Sequence, residues 1–281
     1  MTGIVDFRVR LPTELRPHLD VPQTFASGYD RVLGMAATYG RSLAELRSDL
    51  SEAGVEMAVV HAEYEFGDVA AELTEAVAAL VADDPALIGF GTVPLDARTV
   101  RPMVREVARC STLALRGINL QPAFFDRSID DRELYPIYAA AEEAGLVVAV
   151  HTGIHYSRSH RLDREQPLRL DRVACDFPDL RLVACHAAWP WTAELAAVAR
   201  RHPTVYLDVG AVRPRYVVEG DAGWVPLRRM MDTILRDQVL FASDWPAQSP
   251  VSALPEWAAS GLRAESWTAF SGANARHLLD L

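Results

Sequence analysis

The side chains of this chain best suited to chemistry are Arg8, Arg10, His151, His186, Asp208 and Asp244. The first two lie in the run Ile4-Val5-Asp6-Phe7-Arg8-Val9-Arg10, which reads as a strand. Residues two apart on a strand share a face. Strict alternation therefore sets Asp6, Arg8 and Arg10 on one side and Val5, Phe7 and Val9 on the other. Two guanidiniums on a first strand are costly to bury without partners. A guanidinium is a planar fork of donors suited to a carboxylate or a developing oxyanion. An aspartate such as Asp244 can serve as general base towards water, and an adjacent arginine would hold it ionised for that work. Imidazoles such as His151 and His186 can polarise a carbonyl or protonate a leaving group. The bland reading of the arginines is a structural ion-pair network with Asp244, Glu63 or Asp6.

Regular elements must bring these distant residues together. Eight short apolar runs read as strands: Ile4–Val9, Met57–Val60, Leu87–Thr92, Leu115–Leu120, Val147–His151, Leu182–Cys185, Val205–Asp208 and Val239–Ala242. Helical patterns lie between them, at Ser42–Ala53, Asp68–Ala82, Arg98–Arg109, Asp131–Ala144, Leu168–Cys175, Trp191–Arg201 and Trp224–Leu235. Ser42 suits an N-cap, and Gly54 and Gly145 suit helix stops. Strands alternating with helices argue for a parallel sheet with crossover connections. Eight repeats in 281 residues fit a single-domain α/β (β/α)₈ barrel spanning residues 1–281. No glycine-rich phosphate loop follows the first strand, which weakens an open dinucleotide-binding sheet. Polar groups then collect where the strands end: Arg8 and Arg10, His61 and Glu63, Asn119 and Gln121, His151, His186, Asp208, Ser243 and Asp244. Barrel active sites are built at that end. The long irregular stretches Leu11–Tyr39 and Ile154–Pro167 also leave strand ends, the second crowded with His155, Arg158, His160, Arg161 and Arg164. Trp189, Trp191 and Trp245 could wall the mouth with aromatic surface.

Composition narrows the chemistry further. A net charge of −10, with no basic run, argues against a nucleic-acid partner. No apolar run is long enough to span a bilayer, and no secretion signal is read at the start, so a cytoplasmic protein is expected. Cys110, Cys175 and Cys185 lack metal-like spacing and read as buried or free thiols. All 28 basic residues are arginine, which excludes a Schiff base or a carbamylated lysine bridging two metals.

Five blocks in order carry a resemblance. They are Val148-Ala149-Val150-His151-Thr152-Gly153, Leu182-Val183-Ala184-Cys185-His186-Ala187, Val205-Tyr206-Leu207-Asp208, Phe241-Ala242-Ser243-Asp244-Trp245-Pro246 and Gly272-Ala273-Asn274-Ala275-Arg276. Together they resemble the amidohydrolase-related family. The resemblance implies a distorted (β/α)₈ barrel and a site of metal-dependent decarboxylases, hydratases, or hydrolases of lactones and amides, some lactonases working without metal. In that family the first strand ends in Asp-x-His-x-His, whose histidines hold a divalent ion with a strand-five histidine and a strand-eight aspartate. His151 and Asp244 match the last two, and His186 matches a histidine that acts on substrate. Arg8 and Arg10 stand where the histidines would be. A guanidinium has no lone pair to donate. At an effective dielectric of ~20, a unit charge 4 Å from a dication is opposed by roughly 8 kcal/mol. No cofactor is therefore expected; a zinc-like ion, if bound, would have only His151 and Asp244 from the family set.

The leading expectation is metal-independent hydrolysis of a small carboxylated lactone, amide or related ring. In it Asp244 is the base, His151 and His186 polarise the substrate, and Arg8 and Arg10 replace the metal. Asn119, His61, Trp189 and Trp245 would complete the binding surface for a small anionic molecule. The alternatives are a non-oxidative decarboxylase of the same family and a barrel that binds without catalysis. A homodimer is compatible with the resemblance.

Overall fold

Runs such as Val147–Val150 are apolar on both faces, and both faces are buried. Val148 and Val150 pack outward beneath the helices, while Val147 and Ala149 point into a lumen. The computed structural model describes residues 3–18, 23–34, 40–219 and 222–281. Its eight parallel strands follow chain order: β1 Ile4–Arg10, β2 Val55–His61, β3 Leu87–Gly91, β4 Gly117–Leu120, β5 Val147–Val150, β6 Leu182–Ala184, β7 Val205–Asp208 and β8 Val239–Leu240. Backbone hydrogen bonds from Phe7 N–H to Phe241 O (2.9 Å), Asp244 N–H to Arg8 O (2.9 Å) and Arg10 N–H to Trp245 O (2.8 Å) close the ring between β8 and β1. The expected (β/α)₈ barrel is therefore the observed fold.

The described helices are α1 Gln23–Leu33, α2 Leu43–Glu52, α3 Ala70–Ala82, α4 Val100–Thr112, α5 Tyr135–Glu143, α6 Leu168–Asp176, α7 Thr192–Arg201, α8 Pro214–Glu219, α9 Val225–Met230, α10 Pro250–Ala258, α11 Ala264–Thr268 and α12 Asn274–Leu279. Ser42 caps α2 in a reciprocal box with Glu45, as its position predicts. The pattern reading did not anticipate α1, α8 or the three C-terminal helices. Of the stretch Leu11–Tyr39, positions 19–22 and 35–39 lie outside the described residues. None of the described helices is long and apolar enough to cross a membrane.

The lumen is layered. Near the strand starts it holds Val5, Val59, Ile88, Val183 and Leu240, and Leu278 and Leu279 of α12 pack onto them. Higher up, the inward positions turn polar. The expected alternation along β1 does not hold there. Asp6 pairs with Ala58 and Val9 with Val60, so β1 advances three residues while β2 advances two. That bulge keeps Phe7 in the lumen, against Phe90 at 5.6 Å, and sends Val9 outward with Leu11. Arg8 and Arg10 both turn to the mouth. Gly117 makes room for this layer: a Cβ there would lie 2.5 Å from both the Phe90 ring and the Val147 carbonyl oxygen. Gly117→Ala is expected to lower stability by about 1–3 kcal/mol through overpacking. Urea unfolding should show a lower midpoint with an unchanged slope.

Candidate active site

Arg8 stands at the centre of the upper lumen and is almost fully buried. Its Nε donates to Asp208 (3.1 Å), Nη1 to Glu63 (2.5 Å), and Nη2 to Asn119 Oδ1 (3.2 Å) and Cys185 Sγ (2.6 Å). One side chain thus ties together the ends of β2, β4, β6 and β7. Burial alone would depress the guanidinium pKa, but the Asp208 and Glu63 carboxylates outweigh it and raise the value. Glu63 also accepts a short hydrogen bond from Gln121. Burial would raise the Glu63 pKa, yet Arg10 and Arg8 hold it well below the ordinary carboxylate range. Asp208 is held down in the same way against burial, by Arg8 and by the backbone N–H groups of His186 and Gly210. Burial pushes the Cys185 thiol well above its usual value, so it faces Arg8 as a neutral acceptor.

Arg10 grips Asp244 with two parallel hydrogen bonds, Nε to Oδ1 and Nη2 to Oδ2, both 3.1 Å. Glu63 Oε2 lies 3.8 Å from the same Nη2, and Glu65 Oε1 lies 3.7 Å from Nη1. The lower edge of β1 is fixed by Asp6, whose Oδ1 accepts from the backbone N–H groups of Arg8 and Ser243. Burial raises the Asp6 pKa to about 7.

The two histidines meet across the β5 and β6 ends, with ring centroids 4.8 Å apart. His151 Nδ1 lies 2.9 Å from Glu165, a fully buried carboxylate on the loop after β5. Burial disfavours the imidazolium there, but the Glu165 charge and hydrogen bond prevail and raise the pKa. His186 Nδ1 lies 2.8 Å from the Gly210 carbonyl, so Nδ1 carries the proton and Nε2 keeps its lone pair. Burial and His151 lower the His186 pKa. The neighbours are therefore biased oppositely, one towards imidazolium and one towards neutral imidazole. Gly153 permits this approach. Its φ is +89°, and a Cβ would meet Trp189 O at 2.7 Å and Ala188 backbone at 2.8 Å.

Strain marks the same rim. His186, Ala187 and Ala188 have φ of 60°, 49° and 50°, and Ala211 and Asp244 have 56° and 57°. Left-handed backbone costs a non-glycine residue roughly 1–2 kcal/mol. Such residues persist where surrounding contacts over-determine them, often at functional sites. Above them opens a cavity of about 360 Å³, a volume suited to a small organic molecule. Its floor is Arg10, His151, His186 and Asp244; its walls include Tyr29 of α1, Tyr156, Trp189, Tyr216 and Trp224. Arg213 lines it too.

Of the residues singled out from sequence, Arg10, His151, His186, Trp189 and Asp244 line this cavity. Arg8 and Asn119 lie beneath it, bound to each other. Two expectations fail on geometry. His61 is fully buried, its Nε2 2.9 Å from the Phe7 carbonyl and its ring 4.8 Å from Phe90. Burial lowers its pKa to about 3. Trp245 is fully buried outside the lumen, where its indole N–H donates to Asp49 of α2 and Arg41 stacks on its ring. The loop histidines His155 and His160 pack on Phe124. Glu165 was not recognisable from sequence: it lies among charged loop residues, and only the fold aims it at His151.

The divalent ion of the family pattern does not fit. Both Asp244 oxygens accept from Arg10, and Arg8 fills the lumen centre. Among the described residues no three His, Cys, Asp or Glu ligand atoms at the mouth lie within 4.8 Å of one another.

Comparison with known proteins bears on this site. A family model described as "Amidohydrolase" matches residues 23–281, a span that begins after β1. Protein fluG from Emericella nidulans is 28% identical over 184 residues, 59% of this chain and 21% of that protein. The 2-amino-3-carboxymuconate-6-semialdehyde decarboxylase of Dictyostelium discoideum is 30% identical over 86 residues, 30% of this chain and 23% of that one. The chain thus matches under a quarter of the length of either curated relative. An uncharacterized TIM-barrel protein from Bordetella bronchiseptica superposes with a TM-score of 0.82 at 25% identity, over 99% of this chain and 98% of that one. The 5-carboxyvanillate decarboxylase of Sphingomonas paucimobilis gives 0.75 at 17% identity over the whole of both chains, a likeness of fold.

Arg8→Met would leave Asp208 buried without its guanidinium and Glu63 with Arg10 as its remaining counter-charge, and stability should fall by about 3–5 kcal/mol in denaturant unfolding. His61 sets a pH dependence. Its folded pKa is about 3 against 6.5 in the unfolded chain, so its contribution is complete above pH 6.5 and shrinks as pH drops towards 3. His61→Gln should flatten the stability–pH slope across that window; an unchanged slope would refute the assignment.

Proposed function

The chain belongs to the amidohydrolase family, and we propose that it is a metal-independent, non-oxidative decarboxylase of a small aromatic carboxylate. The observation that carries this reading is the pair of cavity-facing imidazoles with opposite proton biases. Groups whose environments push their pKa values apart divide naturally into acid and base. In this reading His151, charged through Glu165, is the acid, and neutral His186 is the base.

The step balances without an oxidant. His186 Nε2 takes the proton of a ring hydroxyl, which pushes electrons into the ring. His151 delivers a proton to the ring carbon that bears the carboxylate. The bond from that carbon to the carboxylate then breaks, its electron pair returns to the ring, carbon dioxide leaves, and His186 gives its proton back to the ring oxygen. A proton replaces carbon dioxide overall. Arg10 and Arg213 supply positive charge to orient the carboxylate, and the aromatic walls suit a planar ring. Decarboxylases recur among the similar proteins, which supports the lyase over the hydrolase reading.

Hydrolysis of a lactone or amide draws on the same floor but needs a base for water. Asp244 is the sequence-derived choice, and its grip by Arg10 favours a role in holding that arginine. Asp208 and Glu63 are committed to Arg8. The hydrolytic reading thus has less support in the geometry.

The test is carbon dioxide release from a panel of hydroxybenzoates and related carboxylates. His151→Gln and His186→Gln should each lower kcat by about 100-fold or more. A metal chelator should leave the rate unchanged. Ring opening without carbon dioxide, or activity that requires added metal, would overturn the proposal. Glu165→Gln removes the charge that favours the His151 imidazolium. The acid must be protonated to work, so the alkaline limb of the kcat–pH profile should move to lower pH.

A further inference from the structure

Cys175 is the exposed member of the three free cysteines. It lies on α6 four residues after Asp171, and residues so spaced share one helix face. The adjoining helix, α7, ends beside that face, and its C-cap residue is His202. Ligand atoms of Asp171, Cys175 and His202 all lie within 4.8 Å of one another. His202 Nε2 is already 2.8 Å from Asp171 Oδ1. Donors around a tetrahedral zinc ion, at bond lengths of about 2.0–2.3 Å, stand roughly 3–4 Å apart, so a small contraction would seat one. The surroundings favour a cation. The C-terminal end of α7 carries partial negative charge. Arg201 now meets Asp171, with Nη1 2.9 Å from both carboxylate oxygens. Its side chain is 62% exposed and can withdraw into water.

We propose that Asp171, Cys175 and His202 form a site on the outer barrel wall for a borderline-soft divalent ion, zinc foremost, with water completing the tetrahedron. Binding releases the thiol proton and exchanges the Arg201 ion pair for a metal bridge between α6 and α7. The cysteines show no Cys–Cys metal spacing in sequence because the partners here are an aspartate one turn back and a histidine from the next helix.

Cobalt(II) is the probe, added to reduced protein. One equivalent should produce a thiolate-to-cobalt charge-transfer band and tetrahedral visible bands, both bleached by zinc. Cys175→Ser should abolish the charge-transfer band. His202→Ala should weaken zinc binding by about tenfold or more. Arg201→Gln should tighten it, because a competing cation is gone. Zinc should raise the wild-type melting temperature, and the metal-free variants should melt as the wild type does. Saturation without a thiolate band, unchanged affinity in Cys175→Ser, or no binding at millimolar metal would each overturn the site. None of these readouts uses the reaction at the mouth.

Discussion

Burying the Arg8 guanidinium in the barrel lumen is the constraint from which the rest of the site follows. A lone buried guanidinium would lose several kcal/mol of hydration. This chain meets the demand with neighbours from separate strands: Asp208, Glu63, Asn119 and Cys185. Glu63 then engages Gln121, and Asp208 takes the backbone N–H groups of His186 and Gly210. Arg8 therefore does more than neutralise charge. It ties the ends of the strands in a fixed arrangement, and through Asp208 it sets the backbone that carries His186.

That arrangement separates two jobs that a metal would combine. A bound dication would both hold the strand ends together and polarise the substrate. Here the arginine–carboxylate layer holds, and the histidines one layer higher face the cavity. The left-handed residues at the ends of β6, β7 and β8 belong to the boundary between these layers. Hydrogen bonds from His186 N–H and Gly210 N–H to Asp208, and from Asp244 N–H to Arg8 O, keep that backbone in place. The fixed charges below thus support geometry above, while the proton-bearing groups stay open to a ligand.

Much of this was legible in the sequence, and the misses have physical causes. Regular alternation of apolar runs and amphipathic stretches revealed the barrel, because a parallel strand buried on both faces leaves a dense apolar signature. His151, His186 and Asp244 were recognisable because they close such runs. The β1 bulge was not, since one extra residue leaves no compositional mark, and without it alternation misplaces Val9. Trp245 follows the same strand end as Asp244, yet it points to α2; adjacency in sequence carries no side-chain direction once the strand has ended. Glu165 was hidden for a related reason. Its partner lies 14 residues away across an irregular loop, and no periodicity connects them.

The arginine pair and its carboxylates are also mutually dependent, which explains why the altered first strand is not a single-step variation on a metal site. Replacing Arg8 and Arg10 with histidines would supply ligands but leave Glu63, Glu65, Asp208 and Asp244 facing one another in the lumen. Close carboxylates cannot all remain ionised in a dry site, and some would be driven to protonate. A dication would offset two of those charges, with Glu63 and Glu65 still needing partners. Replacing only the carboxylates would strand two guanidiniums. Each half is stable because the other is present, so departure from the Asp-x-His-x-His pattern at β1 requires the charges that follow β2 and β8, and the one that ends β7, to be read with it as one unit.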